Sequence, residues 1–273
     1  MAVLQILSDL HLEFLNDFER GRWLGSLDST GVDVLVLAGD ICLMPQLRKV
    51  LGAFCAAFPQ IVYVTGNHEY YGSSPQQVHG LLWDLQVEHP NLHWLHNQAK
   101  EIAGLRFVGG SLWFPKPSEP TYSSRFAMND FRVIQDFEPW VYEENAMCEA
   151  VLRALGRTAD VVVTHHIPTD LCVSPRYRQG SAATLNHFFC RDLTAEIEEW
   201  KPTLWCFGHT HDRMAVRLSD TVLVSNPLGY PQETEFAERG RYAPRCLIRV
   251  EPGQVGVSFI EEEPGPGHPS SRG

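Results

Sequence analysis

The chain has an unusual junction at SDLHLEF, residues 8–14, immediately after the apolar run AVLQIL at residues 2–7. The composition of the run predicts a buried β-strand. Such a strand normally ends in a turn, yet here a carboxylate and an imidazole follow at Asp9 and His11. In an extended chain, residues two apart project to the same side, so both groups can face one point. The junction therefore predicts that the first strand delivers two polar groups to a shared site.

Four later apolar runs end in the same way, each followed by residues with oxygen or imidazole donors. These residues are Asp40 in LAGD, Asn67 and His68 in TGNHE, His165 and His166 after DVVVT, and His209 and His211 in GHTH. Gly39, Gly66 and Gly208 precede donors directly, where a sharp turn or a close approach favours a missing side chain. Ligands of open α/β sheets bind at the carboxyl ends of the strands. The five strand ends therefore predict one common site.

The alternation of apolar runs with helical patterns predicts an α/β fold. Helices are expected near residues 17–27, 45–57, 75–88, 139–156 and 190–200. The early strands are rich in Val, Leu and Ile, as in a sheet covered on both faces. Because the last third of the chain is rich in strand patterns, we expect two sheets with helices outside. We find no internal repeat and no linker, which predicts one domain over residues 1–260 and a disordered tail over 261–273.

Composition and charge argue against several classes of protein. The 273-residue chain has a net charge of −11 and no basic block, so it is not expected to bind extended nucleic acid, which requires clustered Lys and Arg. Its seven cysteines form no CxxC pair, as expected for unpaired thiols in a reducing compartment. No run approaches the roughly 20 apolar residues that span a bilayer, and no signal-peptide pattern is visible. We expect a soluble, cytoplasmic protein without membrane contact; the oligomeric state stays open.

The donor set indicates divalent metal ions. Ligands of the Asp, Asn and His types without Cys suit manganese, iron or zinc in a reactive site rather than a structural zinc. The predicted metal ligands are Asp9, His11, Asp40, Asn67, His165, His209 and His211. Seven donors exceed the coordination shell of one ion with an open position, whereas they suit two ions that share a carboxylate. Asp40 is the expected bridge.

These blocks together resemble the calcineurin-like metallophosphoesterases, and among them the short bacterial members. The matching blocks are DLH (9–11), GD (39–40), GNHE (66–69), THH (164–166) and GHTH (208–211). The resemblance implies a four-layer α-β-β-α sandwich with two mixed β-sheets. It assigns one metal ion to Asp9, His11, Asp40 and His211, and the other to Asp40, Asn67, His165 and His209.

The predicted pair of metal ions suggests a reaction. Two divalent ions can clamp an in-line displacement at phosphorus and activate a bridging hydroxide as the nucleophile. We expect hydrolysis of a phosphomonoester or phosphodiester. His68 is the candidate catalytic residue, as general acid for the leaving oxygen or as a stabiliser of transition-state charge. Glu69, or another carboxylate, is expected to orient a ligand imidazole, unless it is an ordinary surface residue. A non-catalytic scaffold that keeps the fold for protein binding is the alternative function.

Two long segments, 115–132 and 168–182, are expected to cover the site and to select the substrate. Arginine binds phosphate oxygens through its planar fork, and tyrosine can stack on a base or a sugar. The candidate substrate-binding residues are Arg125, Arg132, Tyr177, Arg178 and His166. The alternative is that these arginines are solvated loop charges and that His166 is a wall of the pocket. The expected partner is a small phosphorylated molecule or a nucleotide.

Overall fold

Two six-stranded β-sheets lie face to face between layers of helices. This computed structural model describes residues 1–119, 121–233, 242–252 and 258–260. The architecture confirms the predicted α/β sandwich with two mixed sheets. The predicted tail over residues 261–273 lies outside the described residues.

The first sheet contains the N-terminal strands. Its strand order is β12 (Ser258–Ile260), β11 (Leu247–Val250), β1 (Ala2–Leu7), β2 (Val34–Ala38), β3 (Ile61–Val64) and β4 (Leu92–Trp94). Strands β1 to β4 run parallel, with Leu4 opposite Val34 and Leu35 opposite Ile61. Strands β11 and β12 continue the sheet in antiparallel pairs. The carboxyl ends of β1, β2 and β3 therefore meet at one edge.

The second sheet contains the strands from the middle of the chain. Its strand order is β5 (Gln98–Ile102), β6 (Leu105–Gly110), β7 (Val161–Thr164), β8 (Leu204–Cys206), β10 (Thr221–Ser225) and β9 (Met214–Leu218). The pairs from β6 through β7 and β8 to β10 are parallel, and both edge pairs are antiparallel. The carboxyl ends of β7 and β8 are therefore neighbours.

The strands are apolar on both faces because each sheet packs against a sheet on one side and helices on the other. In β2, Val34 and Val36 enter the core between the sheets, whereas Leu35 and Leu37 join the outer core of the first sheet. Strand β7 repeats this alternation in the second sheet. The period-two pattern thus produces the four layers.

Helices cover the outer face of each sheet. They are α1 (Asp17–Gly25), α2 (Met44–Ala57), α3 (Pro75–Glu88), α4 (Asp130–Val133), α5 (Phe137–Leu155) and α6 (Thr194–Trp200). Helices α2 and α3 pack on the first sheet, and α5 and α6 pack on the second. Helix α3 begins at a capping box, in which Ser74 and Gln77 satisfy each other's backbone N–H groups. Within the described ranges, no helix is both long enough and apolar enough to cross a bilayer.

Two element boundaries differ from the sequence prediction. Strand β6 ends at Gly110, not at residue 114, because Leu112 adopts a left-handed conformation with φ 52°. Helix α6 begins at Thr194 rather than near residue 190. The residues predicted as its first turn instead pair with the segment after β7, since Arg191 N–H donates to the carbonyl of Ile167 at 2.9 Å. At the start of α6, a hydrogen bond between distant segments therefore overrides the local pattern.

The sequence prediction also omitted structure in three segments. Strands β4 and β5 are short, and β5 is half exposed, so their periodicity is weak. The segment 115–132 contains a 3₁₀ helix at Thr121–Ala127 and the start of α4. The segment that begins at residue 168 contains 3₁₀ helices at Asp170–Cys172, Pro175–Tyr177 and Gly180–Phe188.

Candidate metal centre

Five strand ends, from both sheets, meet at one edge of the sandwich. The ends of β1, β2 and β3 come from the first sheet, and the ends of β7 and β8 come from the second. Six of the seven predicted ligands form two groups, and within each group the donor atoms lie within 4.8 Å of one another. Asp40 belongs to both groups. The centre is therefore assembled across the interface between the sheets.

The convergence of these side chains depends on left-handed backbone, not on strand alternation. Five of the seven predicted ligands have positive φ: Asp9 (46°), His11 (46°), Asp40 (55°), His209 (64°) and His211 (51°). The expectation that extended chain aims Asp9 and His11 at one point is wrong. Positive φ is uncommon for residues other than glycine, and such residues concentrate at functional sites. Backbone hydrogen bonds hold this conformation, from Asp9 N–H to the carbonyl of Gly39 at 2.9 Å and from His11 N–H to that of Asp40 at 3.0 Å.

Two glycines let the loops approach each other closely. A Cβ atom at Gly39, where φ is 86°, would overlap the ring of His165. A Cβ atom at Gly66 would overlap the carboxylate of Asp40 and come within 2.7 Å of its backbone nitrogen. The loops after β2, β3 and β7 can therefore pack together only without these side chains.

The first group consists of two carboxylates and two imidazoles. His11 Nε2 lies 3.1 Å from His211 Nε2 and 3.8 Å from Asp40 Oδ2. His211 Nε2 lies 3.6 Å from Asp9 Oδ1. Asp9 and His11 are buried, and Asp9 Oδ2 makes no hydrogen bond. Two nitrogen and two oxygen donors thus surround one small space.

The second group shares Asp40 with the first. His165 Nε2 lies 3.5 Å from Asp40 Oδ2, 3.1 Å from His209 Nδ1 and 3.2 Å from Asn67 Oδ1. The Asn67 side-chain amide donates its N–H groups away from this space, to Asp130 Oδ1 at 3.1 Å and to the Tyr71 hydroxyl at 2.9 Å. Its oxygen therefore remains directed at the imidazoles.

The hydrogen bonds of the far ring nitrogens indicate which atoms carry protons. Three rings donate from Nδ1: His11 to Glu13 at 3.2 Å, His211 to Glu233 at 2.6 Å, and His165 to the carbonyl of Ala38 at 2.9 Å. Their Nε2 atoms then carry lone pairs. The 3.1 Å approach of His11 Nε2 to His211 Nε2 sets two acceptors against each other. A cation between them removes this repulsion, so the donor set fits metal ions.

The electrostatics of the buried groups agree with this fit. Burial raises the pKa of Asp9 and raises the pKa of Asp40 strongly, and the charges of Glu69 and Asp9 add to the effect at Asp40. Burial lowers the pKa of His11 to about 3 and lowers those of His165 and His209. The imidazoles of His11, His165 and His209 are therefore neutral donors, and burial of the two carboxylates favours a divalent cation beside them.

Glu13 joins the first group to His68. Its Oε1 atom accepts from the Nδ1 atoms of His11 at 3.2 Å and His68 at 2.8 Å. Burial raises the pKa of Glu13, but these hydrogen bonds outweigh burial and lower it to about 2. The other ring nitrogen of His68, Nε2, lies 3.0 Å from the Tyr230 hydroxyl. Tyr230 lines the pocket above the centre, so it links His68 to that pocket.

Glu69 binds backbone groups and does not have either of the two predicted roles. It is fully buried and accepts the backbone N–H groups of Asp40 at 3.1 Å, Ile41 at 2.8 Å and Gly66 at 2.7 Å. It therefore holds the loops after β2 and β3 together rather than orienting an imidazole. Glu13 and Glu233 bind the imidazoles instead.

A pocket of about 370 Å³ opens above the centre. Its floor includes the predicted ligands Asp40, Asn67, His209 and His211, and its walls come from the two long segments. Tyr177 lines it, as predicted, with 42% of its surface exposed. The pocket agrees in size with sites for small organic ligands.

The three predicted substrate-binding arginines do not line this pocket, and they bind groups close to them in the chain. The guanidinium of Arg125 lies 3.7 Å from the Tyr122 ring, and Arg132 donates to Asn129. Arg178 donates to the carbonyls of Val173 at 2.8 Å and Leu171 at 2.9 Å.

His166 is buried behind the second group and packs against other rings. Its Nδ1 atom donates to the carbonyl of Ser111 at 3.0 Å, and burial lowers its pKa to about 4. The ring lies 4.7 Å from Trp113 and 4.5 Å from His209, centroid to centroid. His165, not His166, therefore points into the donor groups.

Sequence reasoning missed Glu13, Tyr230 and Glu233, and it placed Asp130 only in a segment expected to cover the site, without its contact to Asn67. Glu13 stands two residues after His11, in the opening stretch itself. Tyr230 and Glu233 lie in SNPLGYPQE (225–233), which resembles a segment that follows GHTH in the bacterial metallophosphoesterases. That resemblance implies a turn beside the site with Asn226 in a structural role. Asn226 does bond backbone groups of Ile6 and Ala243. Asp130 carries no local signal, because its partner Asn67 lies 63 residues away.

The fold and the donor groups define a class of α/β-sandwich proteins with a histidine- and carboxylate-rich centre at the strand ends. The chain belongs to the calcineurin-like phosphoesterase family, whose model matches residues 4–213. This confirms the resemblance seen in the sequence.

Two relatives match nearly the whole chain. The uncharacterized protein L509 of Acanthamoeba polyphaga mimivirus is 24% identical over 286 residues, covering 92% of this chain and 98% of that protein. The crystal structure of phosphopantetheinyl hydrolase (PptH) from Mycobacterium tuberculosis superposes with a TM-score of 0.67. It is 16% identical and covers 96% of each chain, a likeness that shows the shared fold.

Proposed function

We propose that this protein is a metal-dependent phosphohydrolase that cleaves a phosphomonoester or a phosphodiester of a small molecule or nucleotide. The observation that carries the proposal is the approach of His11 Nε2 to His211 Nε2 at 3.1 Å beside Asp40, which two donor groups share. Family membership supports the same chemistry. We infer that residues 1–260 act as one domain, since the core between the sheets draws on both of them.

The ligand assignment follows the two donor groups. Asp9, His11, Asp40 and His211 would hold one divalent ion. Asp40, Asn67, His165 and His209 would hold a second, with manganese the first choice and iron or zinc as alternatives. When bound, such ions supply positive charge that attracts a phosphate group and lower the pKa of water towards neutrality.

The side chains around the ions prepare the reaction. Glu13, Glu233 and the carbonyl of Ala38 hold three imidazoles in the tautomer that presents Nε2. His68 holds the Tyr230 hydroxyl at the pocket and is itself held by Glu13. With both ring nitrogens of His68 protonated, Nε2–H would donate to the Tyr230 oxygen, and the Tyr230 hydroxyl could pass its own proton to a leaving oxygen while it takes one from His68. His68 would then act as general acid through Tyr230.

Hydrolysis of p-nitrophenyl phosphate and of bis-p-nitrophenyl phosphate by manganese-loaded protein tests the activity. Elemental analysis should find two ions per chain, and a chelator should abolish turnover. Asp40→Asn should lose metal and reduce turnover by roughly 10²-fold or more, because the lost ions supply several kcal/mol of charge stabilisation. Asp84→Asn, an exposed carboxylate on α3, is the matched control and should keep both. Metal-loaded protein that hydrolyses neither ester contradicts the proposal and favours the scaffold function.

A further inference from the structure

The wall of the pocket above the donor groups is largely apolar. Met128, Ile167, Val173, Leu185 and Phe189 line it, and Met128, Ile167 and Val173 are buried. Tyr71, Tyr177 and Tyr230 add aromatic surface at its sides. A pocket whose only ligand was inorganic phosphate would have no use for so much apolar surface beside the centre.

The apolar wall is attached directly to the centre. The ring of Phe189 stacks on that of His209, with centroids 5.0 Å apart and planes 28° apart. The backbone N–H of Ile167 donates to the carbonyl of Phe189 at 3.1 Å, which joins the segment after β7 to the segment before α6. An organic group bonded to a phosphate at the donor groups would therefore lie against this wall.

The wall is held in place by packing beneath it. Phe188 lies 5.0 Å from Phe114 and 5.7 Å from Phe131, centroid to centroid, and these rings join the two long segments. Asn186 donates to the carbonyl of Tyr177 at 2.8 Å, and Arg178 binds the carbonyl of Val173. The wall is thus preformed, and a ligand does not have to order it.

We propose that this wall is the subsite for the organic part of the substrate, which we assign to an uncharged aliphatic or aromatic group on the phosphate. The assignment rests on the proposed function, because that function places the phosphate at the donor groups. Apolar contact with the wall favours binding in proportion to the surface removed from water.

Alkylphosphonates are suitable probes, because their C–P bond is not hydrolysed and they carry one organic group. Binding of methyl-, butyl- and hexylphosphonate to the manganese-loaded protein is measured by calorimetry. We expect affinity to rise by up to about fourfold for each buried methylene, and by roughly tenfold or more from methyl to butyl. Equal affinity along the series, weaker binding of the longer chains, or no binding of any phosphonate overturns the proposal.

Two variants test whether the dependence of phosphonate affinity on chain length arises at the apolar wall. Leu185→Ala should reduce the gain from methyl- to hexylphosphonate several-fold while leaving methylphosphonate binding unchanged. Leu171→Ala, a leucine with 48% exposure outside the pocket, is the matched control and should behave like the unmodified protein. Thermal unfolding and metal content of both variants exclude a general loss of structure. Identical chain-length profiles for the two variants also overturn the proposal.

Turnover of p-nitrophenyl phosphate by the same samples separates the two proposals. Binding that increases with chain length in a protein without turnover would contradict the activity alone. Turnover together with binding that ignores chain length would contradict the apolar subsite alone.

Discussion

Replacing Glu144 by glutamine should change how the stability of the protein depends on pH. Glu144 lies on α5, is 7% exposed, and accepts a hydrogen bond from the Asn97 amide at 2.6 Å. Its Oε1 atom also lies 3.2 Å from His96 Nδ1. Burial raises the pKa of the Glu144 carboxyl to about 7, although the bond from Asn97 opposes this. Burial also lowers the pKa of His96, so that ring supplies no counter-charge near neutral pH.

The direction and size of the effect follow from the two pKa values. Below pH 4.5 the carboxyl is protonated in both the folded and the unfolded chain, and it adds no pH dependence. Between pH 4.5 and about 7 the unfolded chain releases the proton first, so the free energy of unfolding falls as pH rises. Above pH 7 the fall is complete. The difference between pKa 4.5 and about 7 corresponds to roughly 3 kcal/mol.

Denaturant unfolding at pH 5 and pH 8 measures this effect. Most of the fall in the free energy of unfolding lies between these two pH values. Because Glu144→Gln lacks this fall, its free energy of unfolding relative to that of the unmodified protein should be about 2–3 kcal/mol higher at pH 8 than at pH 5. Glutamine keeps the acceptor for Asn97 and carries no charge. Glu143→Gln, an exposed neighbour on the same helix, is the control and should change by less than about 0.5 kcal/mol. If the Glu144→Gln difference is the same at both pH values, the reasoning about burial is refuted.

Three further variants examine the centre itself. His68→Ala should keep two metal ions per chain, by elemental analysis, and lose turnover by roughly 10²–10⁴-fold; unchanged turnover would remove His68 from the mechanism. Asp130→Leu should lower the metal content from two ions towards one, because the Asn67 amide then loses an acceptor. Asp130→Asn keeps an acceptor and should therefore retain both ions. Gly66→Ala should unfold about 1–3 kcal/mol more easily and bind metal more weakly, since its Cβ would overlap Asp40; wild-type thermal stability would argue against that crowding.

The donor groups illustrate how backbone strain and metal binding are related in this fold. Asp9, Asp40 and His209 adopt positive φ although none is glycine. Such conformations persist only where surrounding contacts enforce them. Here Asp9 Oδ1 accepts the backbone N–H of His209, and Asp40 Oδ1 accepts that of His68, each at 2.8 Å. The same carboxylates that belong to the donor groups therefore also hold the loops.

Local patterns were enough to predict the architecture and to propose donor residues, which the structure brings close together. The apolar runs predict strands because burial on both faces requires continuous apolar sequence, and the polar residue after each run stands out against it. Position next to a strand end is a property of the local sequence, so Asp9, Asp40 and His165 could be recognised without a structure. The order of these blocks along the chain was sufficient to identify the family.

Only the folded chain shows how the donors are supported by other groups. The contact of Asp130 with Asn67 joins residues 63 apart, and the hydrogen bond from His165 to the carbonyl of Ala38 joins residues 127 apart. The left-handed conformation of His11 is likewise visible only in the structure. The arginines of the long segments illustrate the same limit, since Arg178 binds local carbonyls instead of the pocket. Side-chain hydrogen bonds depend on how far apart the packed chain places two groups. The periodicity of the sequence predicts which segments are strands or helices, but it does not predict those distances.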